Sequence, residues 1–398
     1  MSTTGEQMRA WQGHAVFSYG FRPFFFGAGL WAALAMVAWI AMLTGQLSLP
    51  TAFDPISWHA HEFLFGYLGA VIAGFLLTAV PNWTGRLPIV GWPLVFLFLL
   101  WVLGRIAVGL SALLPAAVVA ALDLALPLAL GVALAREIVA GKNWRNLGVL
   151  VLLGIFAFGN GVFHCEAARG EFAAQGQGLR IGLGAGLMMV ALIGGRIVPS
   201  FTRNWLVRNN PGRLPVPPEQ TFDKIALVVL LAAISTWVLS PASLAAAALL
   251  GLSAILHGIR LLRWAGDRTL REPLLWVLHL GYACVPLGAL LLAFSSRSPS
   301  IVLPAAAQHV WMAGAIGMMT LAVMTRATRG HTGQPLAADK WTTALYLALL
   351  GAVVSRLLSG FWPEAAMPLY AVSGIFWILA FGGFCLRYGR MLLCKRDG

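Results

Sequence analysis

The sequence predicts an all-α polytopic membrane protein, a bundle of about twelve transmembrane helices. Three observations support this fold class. Hydrophobic residues make up 59% of the 398 residues, charged residues only 10%, and the mean hydropathy is +0.81. Soluble domains carry roughly 25% charged residues, so this chain has too few charges to cover a water-facing surface. The composition therefore excludes a soluble enzyme, a disordered protein and a coiled coil.

The individual helices follow from the apolar stretches, because a spanning helix needs about 20 such residues. Twelve stretches qualify, near residues 24–43, 61–80, 92–109, 112–135, 147–167, 179–199, 223–240, 242–260, 273–294, 303–325, 340–358 and 366–386. A connector rich in proline and asparagine, residues 203–222, separates the stretches into two six-helix halves. We expect these halves at 24–202 and 223–386, with a cytoplasmic N-terminal segment at 1–23 and a cytoplasmic tail at 387–398.

The basic residues set the orientation. If both termini are cytoplasmic, all but five of the 27 Lys and Arg residues lie on the cytoplasmic side. The five exceptions are Arg105, Arg169, Arg180, Arg297 and Arg356. This asymmetry is the positive-inside pattern of membrane proteins. The net charge of +13 thus reflects topology and contact with the lipid bilayer rather than binding of nucleic acid.

Histidines are the main candidates for chemistry, because polar side chains within spans are costly and usually functional. Four of them fall at the outer end of the predicted spans: His59, His61, His164 and His309. Neutral imidazole suits zinc, copper and haem iron, so we expect an outer metal site there, with Glu62 and Glu166 as neighbouring carboxylates. His59 and His61 would converge only if the backbone at the start of their helix is not helical. The alternative is a set of interfacial histidines that bond to backbone or water.

Arginines form a second constellation, at the inner ends of the spans: Arg22, Arg86, Arg196, Arg203 and Arg326. A planar guanidinium binds carboxylates and phosphates through two hydrogen bonds, so haem propionates or lipid headgroups are candidate partners. The alternative is simple positive-inside anchoring. Arg105 at an outer helix end and Asp123 within a span each need a partner of their own. The CxxCH signature is absent, so any haem would be held without a covalent bond.

Several long strings of this sequence resemble the NnrS family. They are GFRPFF, WHAHE followed by GFLLTAVPNWTGR, GGRIVPSFTRN, WVLHLGY and HVWMAGAIGMMTLAVMTRATRGHTG. The resemblance implies a bacterial inner-membrane protein that contains haem b and copper and takes part in nitric oxide metabolism and protection from nitrosative stress. Carried over residue by residue, it implies six metal ligands: His59, His61, His164, His279, His309 and His331. His14 and His257 lie outside the distinctive strings and rank lower.

Three functions remain open from the sequence. The first is a haem and copper protein that binds nitric oxide or reduces it as an oxidoreductase, with quinol from the membrane as electron donor. The second is a transporter of a metal, an anion or a small metabolite, which two six-helix halves and Gly/Pro-rich helices would suit. The third is a haem-based sensor of nitric oxide. A visible spectrum that shifts on addition of nitric oxide would favour the first or third function over transport.

The charge asymmetry makes the topology testable. We expect reporter fusions at Gly398 and near Ala52 to lie on opposite sides of the membrane, with Gly398 in the cytoplasm. An alkaline phosphatase and a green fluorescent protein reporter at each position provide the measurement. Fusions that fall on the same side would contradict the even number of helices.

Overall fold

The protein is a helical membrane protein in its described part. The computed structural model describes residues 11–85, 88–295 and 302–395, and within them the chain forms helices and no strand. The predicted all-α class is confirmed. Twelve helices in these ranges are long and apolar enough to cross a membrane, which supports a multi-pass membrane protein.

The twelve helices are numbered in chain order. The uninterrupted helices are α1 Phe21–Leu43, α3 Trp92–Gly109, α4 Ala116–Ala140, α5 Leu147–Ala168, α6 Gln177–Asn209, α7 Thr221–Leu239, α8 Leu244–Leu262, α9 Pro273–Ser295, α11 Lys340–Phe361 and α12 Ala366–Leu393. Two helices contain a π-helical segment. They are α2, made of Pro55–His61, π-helical Glu62–Tyr67 and Leu68–Thr84, and α10, made of Val302–His309, π-helical Val310–Met318 and Met319–His331.

The contacts group the chain into two compact units. The first comprises Met1–Ala185, Ala327–Gln334 and Phe381–Gly398, and within it α1 packs on α2, and α4 packs on α2, α3 and α5. The second comprises Gly186–Arg326 and Pro335–Ala380, where α8 packs on α7 and α9, and α9 and α11 contact α10. Three of the four unit boundaries fall inside helices, in α6, α10 and α12, and the fourth lies between α10 and α11. The division into halves at the 203–222 connector stays a prediction.

Helix α2 begins at Pro55, six residues before the start predicted from hydropathy. The Asp54 carboxylate accepts hydrogen bonds from the backbone N–H groups of Ile56 and Ser57 at 2.9 and 3.0 Å, and Pro55 occupies the first turn. Both features favour helix initiation although the turn is polar. His59 and His61 therefore both lie in helical backbone, and their side chains leave on different faces.

Helix α6 continues to Asn209, ten residues beyond the predicted stretch. Its C-terminal turns carry Arg203 and Arg208, which lower the hydropathy without breaking the helix. A hydropathy window detects the part of a helix that lies at membrane depth, whereas the hydrogen-bonded helix extends into the aqueous phase.

The π-helical segments follow directly after two candidate ligands, His61 and His309. A π segment widens the turn and disturbs the regular pairing of backbone carbonyls, and such segments are frequent at functional sites. In α2 the carbonyl of Gly66 accepts a hydrogen bond from Trp101 Nε1 at 2.9 Å, so the polar group is satisfied from α3.

Glycines bring α5 and α6 into close contact within the first unit. A Cβ atom on Gly159 would lie only 2.7 Å from the backbone nitrogen of Gly182. Backbone atoms cannot rotate away as the end of a side chain can, so no larger residue fits at this crossing. Small residues serve the same purpose in many transmembrane helix pairs.

The close contact between α5 and α6 predicts that alanine substitutions at two glycines of α5 differ in their effect on stability. Gly159→Ala should destabilise the protein by about 1–3 kcal/mol, the usual cost of overpacking. Gly154→Ala is the matched control, because nothing lies within 4 Å of its Cβ position. Thermal unfolding in detergent measures both, and an equal melting temperature for the two variants would contradict the close contact.

Candidate metal centre

A fully buried cluster of ionisable side chains lies in the first unit, where α2, α3, α4 and α5 meet. Its members are His61, Glu62, Arg105, Asp123, Asn160 and His164, each 0–6% exposed. Charged and polar groups at this depth are expensive, about 2.5–3.5 kcal/mol for a single charge at the centre of a spanning helix. They persist only where they pair with one another, as these do.

Asp123 of α4 is the centre of the cluster. Its Oδ2 atom accepts a hydrogen bond from Asn160 Nδ2 at 2.7 Å and lies 3.1 Å from His61 Nε2 and 3.0 Å from His164 Nε2. Its Oδ1 atom pairs with Arg105 Nη2. Both oxygens of this carboxylate are thus in contact with polar side chains from α2, α3 or α5.

Arg105 of α3 joins the two carboxylates. Its Nη1 atom donates to Glu62 Oε1 at 2.6 Å, and its Nη2 atom pairs with Asp123 Oδ1. The sequence indicated that Arg105 and Asp123 each need a partner, and in the structure they pair with each other. The two planar forks of the guanidinium suit this double pairing.

His61 of α2 faces acceptors with both ring nitrogens. Its Nδ1 atom lies 3.1 Å from Glu62 Oε1, and its Nε2 atom lies 3.0 Å from Asn160 Oδ1 and 3.1 Å from Asp123 Oδ2. A neutral imidazole has a single N–H, so it cannot donate at both positions. The ring therefore needs either a second proton or a metal cation on Nε2.

Further contacts hold Glu62 in place. Trp31 Nε1 of α1 donates to Glu62 Oε2 at 2.7 Å. A Cβ atom on Gly66 would lie 2.5 Å from Arg105 Nη1 and 2.9 Å from Glu62 Oε2, so only glycine leaves room for this ion pair. The glycine and the tryptophan fix the carboxylate that orients His61.

Three atoms of the cluster that can bind a metal ion lie as close to one another as the ligands of a metal site do. In the described ranges, His61, Asp123 and His164 are the one group of His, Cys, Asp and Glu residues whose ligand atoms all lie within 4.8 Å of one another. Metal–nitrogen and metal–oxygen bonds of about 2.0–2.2 Å separate neighbouring ligands by about 3 Å. Two imidazoles and one carboxylate suit a transition metal ion.

The other predicted outer residues are not members of this group. His59 stacks on Trp39 with 4.0 Å between ring centroids. Glu166 caps α6, where it accepts the backbone N–H of Gln177 at 2.6 Å. His309 belongs to the second unit, and its Nδ1–H donates to the carbonyl of Ala305 at 2.7 Å. That bond leaves the lone pair of the ring on Nε2, the usual arrangement for a ligand histidine.

Two inner histidines have different surroundings. His279, in the second unit, bonds to Thr202 through Nε2 at 2.9 Å, whereas its buried Nδ1 has no partner in the described part of the chain. His331, in the first unit, stacks on Phe21 and Tyr19 with centroid distances of 5.3 and 5.4 Å. Burial raises the pKa of Tyr19, so its hydroxyl is neutral beside that imidazole.

The predicted arginines are not gathered into one site. Arg22 caps the C-terminal end of α12 through the carbonyls of Leu392 and Cys394, at 3.2 and 2.9 Å. Arg196 pairs with Glu219 at 2.9 Å, and Arg326 stacks on Phe201 with its guanidinium carbon 4.1 Å from the ring centroid. Arg203 is exposed, and Arg86 lies outside the described residues.

A second buried polar network lies in the second unit, and the sequence argument missed it. Arg260 donates to Asp223 Oδ1 at 2.9 Å and to the hydroxyl of Tyr282 at 2.8 Å. His257 accepts from that hydroxyl at Nδ1, at 2.8 Å, and its Nε2–H donates to the carbonyl of Ala226 at 3.1 Å. Both ring nitrogens are satisfied, so this network is complete without a ligand.

One member of the first-unit cluster, Asn160, and the tryptophan that bonds to Glu62, Trp31, were also missed by sequence. Asn160 carried a usable signal, because it stands four residues before His164 in an otherwise apolar span and thus on the same helix face. Trp31 carried none, since tryptophan is ordinary in a spanning helix.

Comparison with known proteins adds an identification to this geometry. No curated protein matches the chain. The family described as NnrS protein matches residues 15–396, nearly the whole chain. The match includes all four helices that form the buried cluster, and the chain belongs to the NnrS family.

Proposed function

We propose that this protein contains copper and haem b in the bacterial inner membrane, binds nitric oxide there, and protects the cell from nitrosative stress. The observation that carries the proposal is the buried group of His61, Asp123 and His164. Family membership agrees with a role connected to nitric oxide. Both termini would be cytoplasmic, as the distribution of Lys and Arg predicts.

The charge balance of the cluster supports a bound cation. Glu62 and Asp123 carry two negative charges, and Arg105 supplies one positive charge. With neutral histidines the buried cluster keeps one excess negative charge, which is unfavourable in a low-dielectric interior. A proton on His61 or a monovalent copper ion at its Nε2 atom would restore neutrality, a divalent ion would reverse the excess to one positive charge, and either metal ion would release that proton on binding.

We propose copper as the metal in this group. Imidazole nitrogens bind copper well, and among the divalent first-row metals copper has the highest affinity for a given nitrogen and oxygen site. Glu62 would orient His61 through Nδ1, while Asn160 and Arg105 would hold the Asp123 carboxylate. Such supporting hydrogen bonds fix the rotamer and tautomer of a ligand.

For haem, His279 fits best among the described residues. It is buried, and its Nδ1 atom has no partner among the described residues, so one ring nitrogen would remain for a haem iron. His309 and His331 are further candidate ligands, and Arg196, Arg203 and Arg326 are candidate partners of the propionates. When bound, haem iron or copper would supply an open coordination position for nitric oxide. Reduction of nitric oxide would also need electrons, for which we propose quinol from the bilayer.

The copper assignment predicts a specific loss of metal. His61→Ala and His164→Ala should each abolish most copper binding, because removal of one ligand from a three-ligand group leaves too few donors. His59→Phe is the matched control, since it preserves stacking on Trp39 and removes no member of the group. Elemental analysis of purified, monodisperse protein measures the copper content. Full copper in both alanine variants would overturn the site.

The haem assignment predicts a contrast between two buried histidines of the second unit. His279→Gln should lose a haem absorption band, because glutamine supplies no imidazole nitrogen for the iron. His257→Gln should keep the band, since both nitrogens of His257 already bond to protein groups. Visible spectra of the detergent-purified variants measure the outcome. Equal haem content in the two variants would argue against His279 as an axial ligand.

A further inference from the structure

A small enclosed cavity adjoins the buried cluster in the first unit. Its volume is about 20 Å³. One water molecule requires about 10–15 Å³ by the same measure, so the cavity accommodates a single molecule of two or three atoms. It lies among α2, α3, α4 and α5, next to Asp123 and Asn160.

Most of the wall is apolar. Seven of the lining side chains are large and hydrophobic: Phe65, Ile72, Trp101, Leu126, Leu130, Leu153 and Phe156. All are less than 9% exposed, so the cavity is surrounded by packed side chains rather than by lipid. Apolar cavities stay dry and bind apolar gases, and most of this wall has that character.

The polar part of the wall consists of Arg105, Asp123 and Asn160. The Nη atoms of Arg105 are engaged by Glu62 and Asp123, whereas its buried Nε–H has no partner among the described residues. Asp123 and the amide of Asn160 already bond within the cluster. A buried water usually makes about three hydrogen bonds, whereas seven apolar side chains make up most of this wall.

Without a bound cation, the cluster disfavours an anion such as nitrite. The Arg105 guanidinium is already paired with two carboxylates, so an added negative charge would then meet an excess of negative charge in a low-dielectric site. A small neutral molecule avoids this repulsion and suits the mostly apolar wall. Diatomic gases have this chemistry, and they reach the interior directly from the bilayer because they dissolve in lipid.

We infer that this cavity is a binding chamber for one neutral diatomic gas beside the metal group. The inference deepens the proposed function, on which it rests for the identity of the gas as nitric oxide. Leu130 and Leu153 would set the size limit of the chamber from α4 and α5. The Arg105 Nε–H would donate to the bound gas.

Xenon under pressure tests the chamber in crystals of the full-length protein, with and without copper. We expect one xenon atom in the cavity of the wild type in both preparations. Leu130→Phe and Leu153→Phe fill the space from two sides and should each lose the xenon. Val132→Phe is the matched control, because Val132 lies on the same helix as Leu130 but is 73% exposed.

The outcomes separate this inference from the proposed function. An ordered water that xenon does not displace, or a wild-type cavity without xenon, overturns the chamber even if copper binds. Xenon in a protein that never binds copper supports the chamber and refutes the copper centre. In the metal-loaded protein, nitric oxide released by a light pulse should rebind from within the protein, and Leu130→Phe should reduce this fast phase severalfold. An unchanged fast phase would refute the chamber as the place that holds nitric oxide.

Discussion

Arg105 pairs with two carboxylates at a depth where water cannot stabilise them, and the arrangement of the first unit depends on this bridge. Glu62 stands on α2 and Asp123 on α4, so a guanidinium from α3 ties three helices together. Removal of the arginine would leave buried negative charges without compensation, at a cost of about 3–5 kcal/mol. The same bridge holds Asp123 where His61 and His164 reach it. The geometry of the candidate metal group is therefore inseparable from the stability of the helices that carry it.

Hydropathy was sufficient to predict the fold class and the number of spanning helices, because apolar length is what a bilayer requires. It located helix ends less well. Helix α2 starts early because Asp54 and Pro55 cap it, and α6 runs on through polar turns. Helix capping and the continuation of a helix beyond its apolar stretch depend on local hydrogen bonds. A sum of side-chain hydropathies contains no information about these bonds.

The candidate site was only partly readable from the chain. His61 and His164 stood out as imidazoles in apolar surroundings, and Arg105 and Asp123 stood out as charges without an evident reason. These four residues meet because helices that are far apart in the sequence pack together. The local pattern of a single sequence does not encode that packing. His59 shows how little the local pattern says about contacts. It lies two residues before His61 in the same helix, yet His59 stacks on Trp39 whereas His61 lies inside the cluster. His257 lay outside the distinctive strings, and its network with Arg260 became visible only in three dimensions.

The π-helical segments bear on the helical phase of α2 and α10. A π segment corresponds to one extra residue within an otherwise regular helix. If the same residues wound as a regular α-helix with the extra residue retained, everything beyond would rotate by about 100° relative to His61, the angle that one residue subtends at 3.6 residues per turn. The wide π turn takes up this extra residue, and the helix beyond it stays in phase with His61. The winding of these segments is accordingly a constraint in its own right, separate from the identity of their side chains.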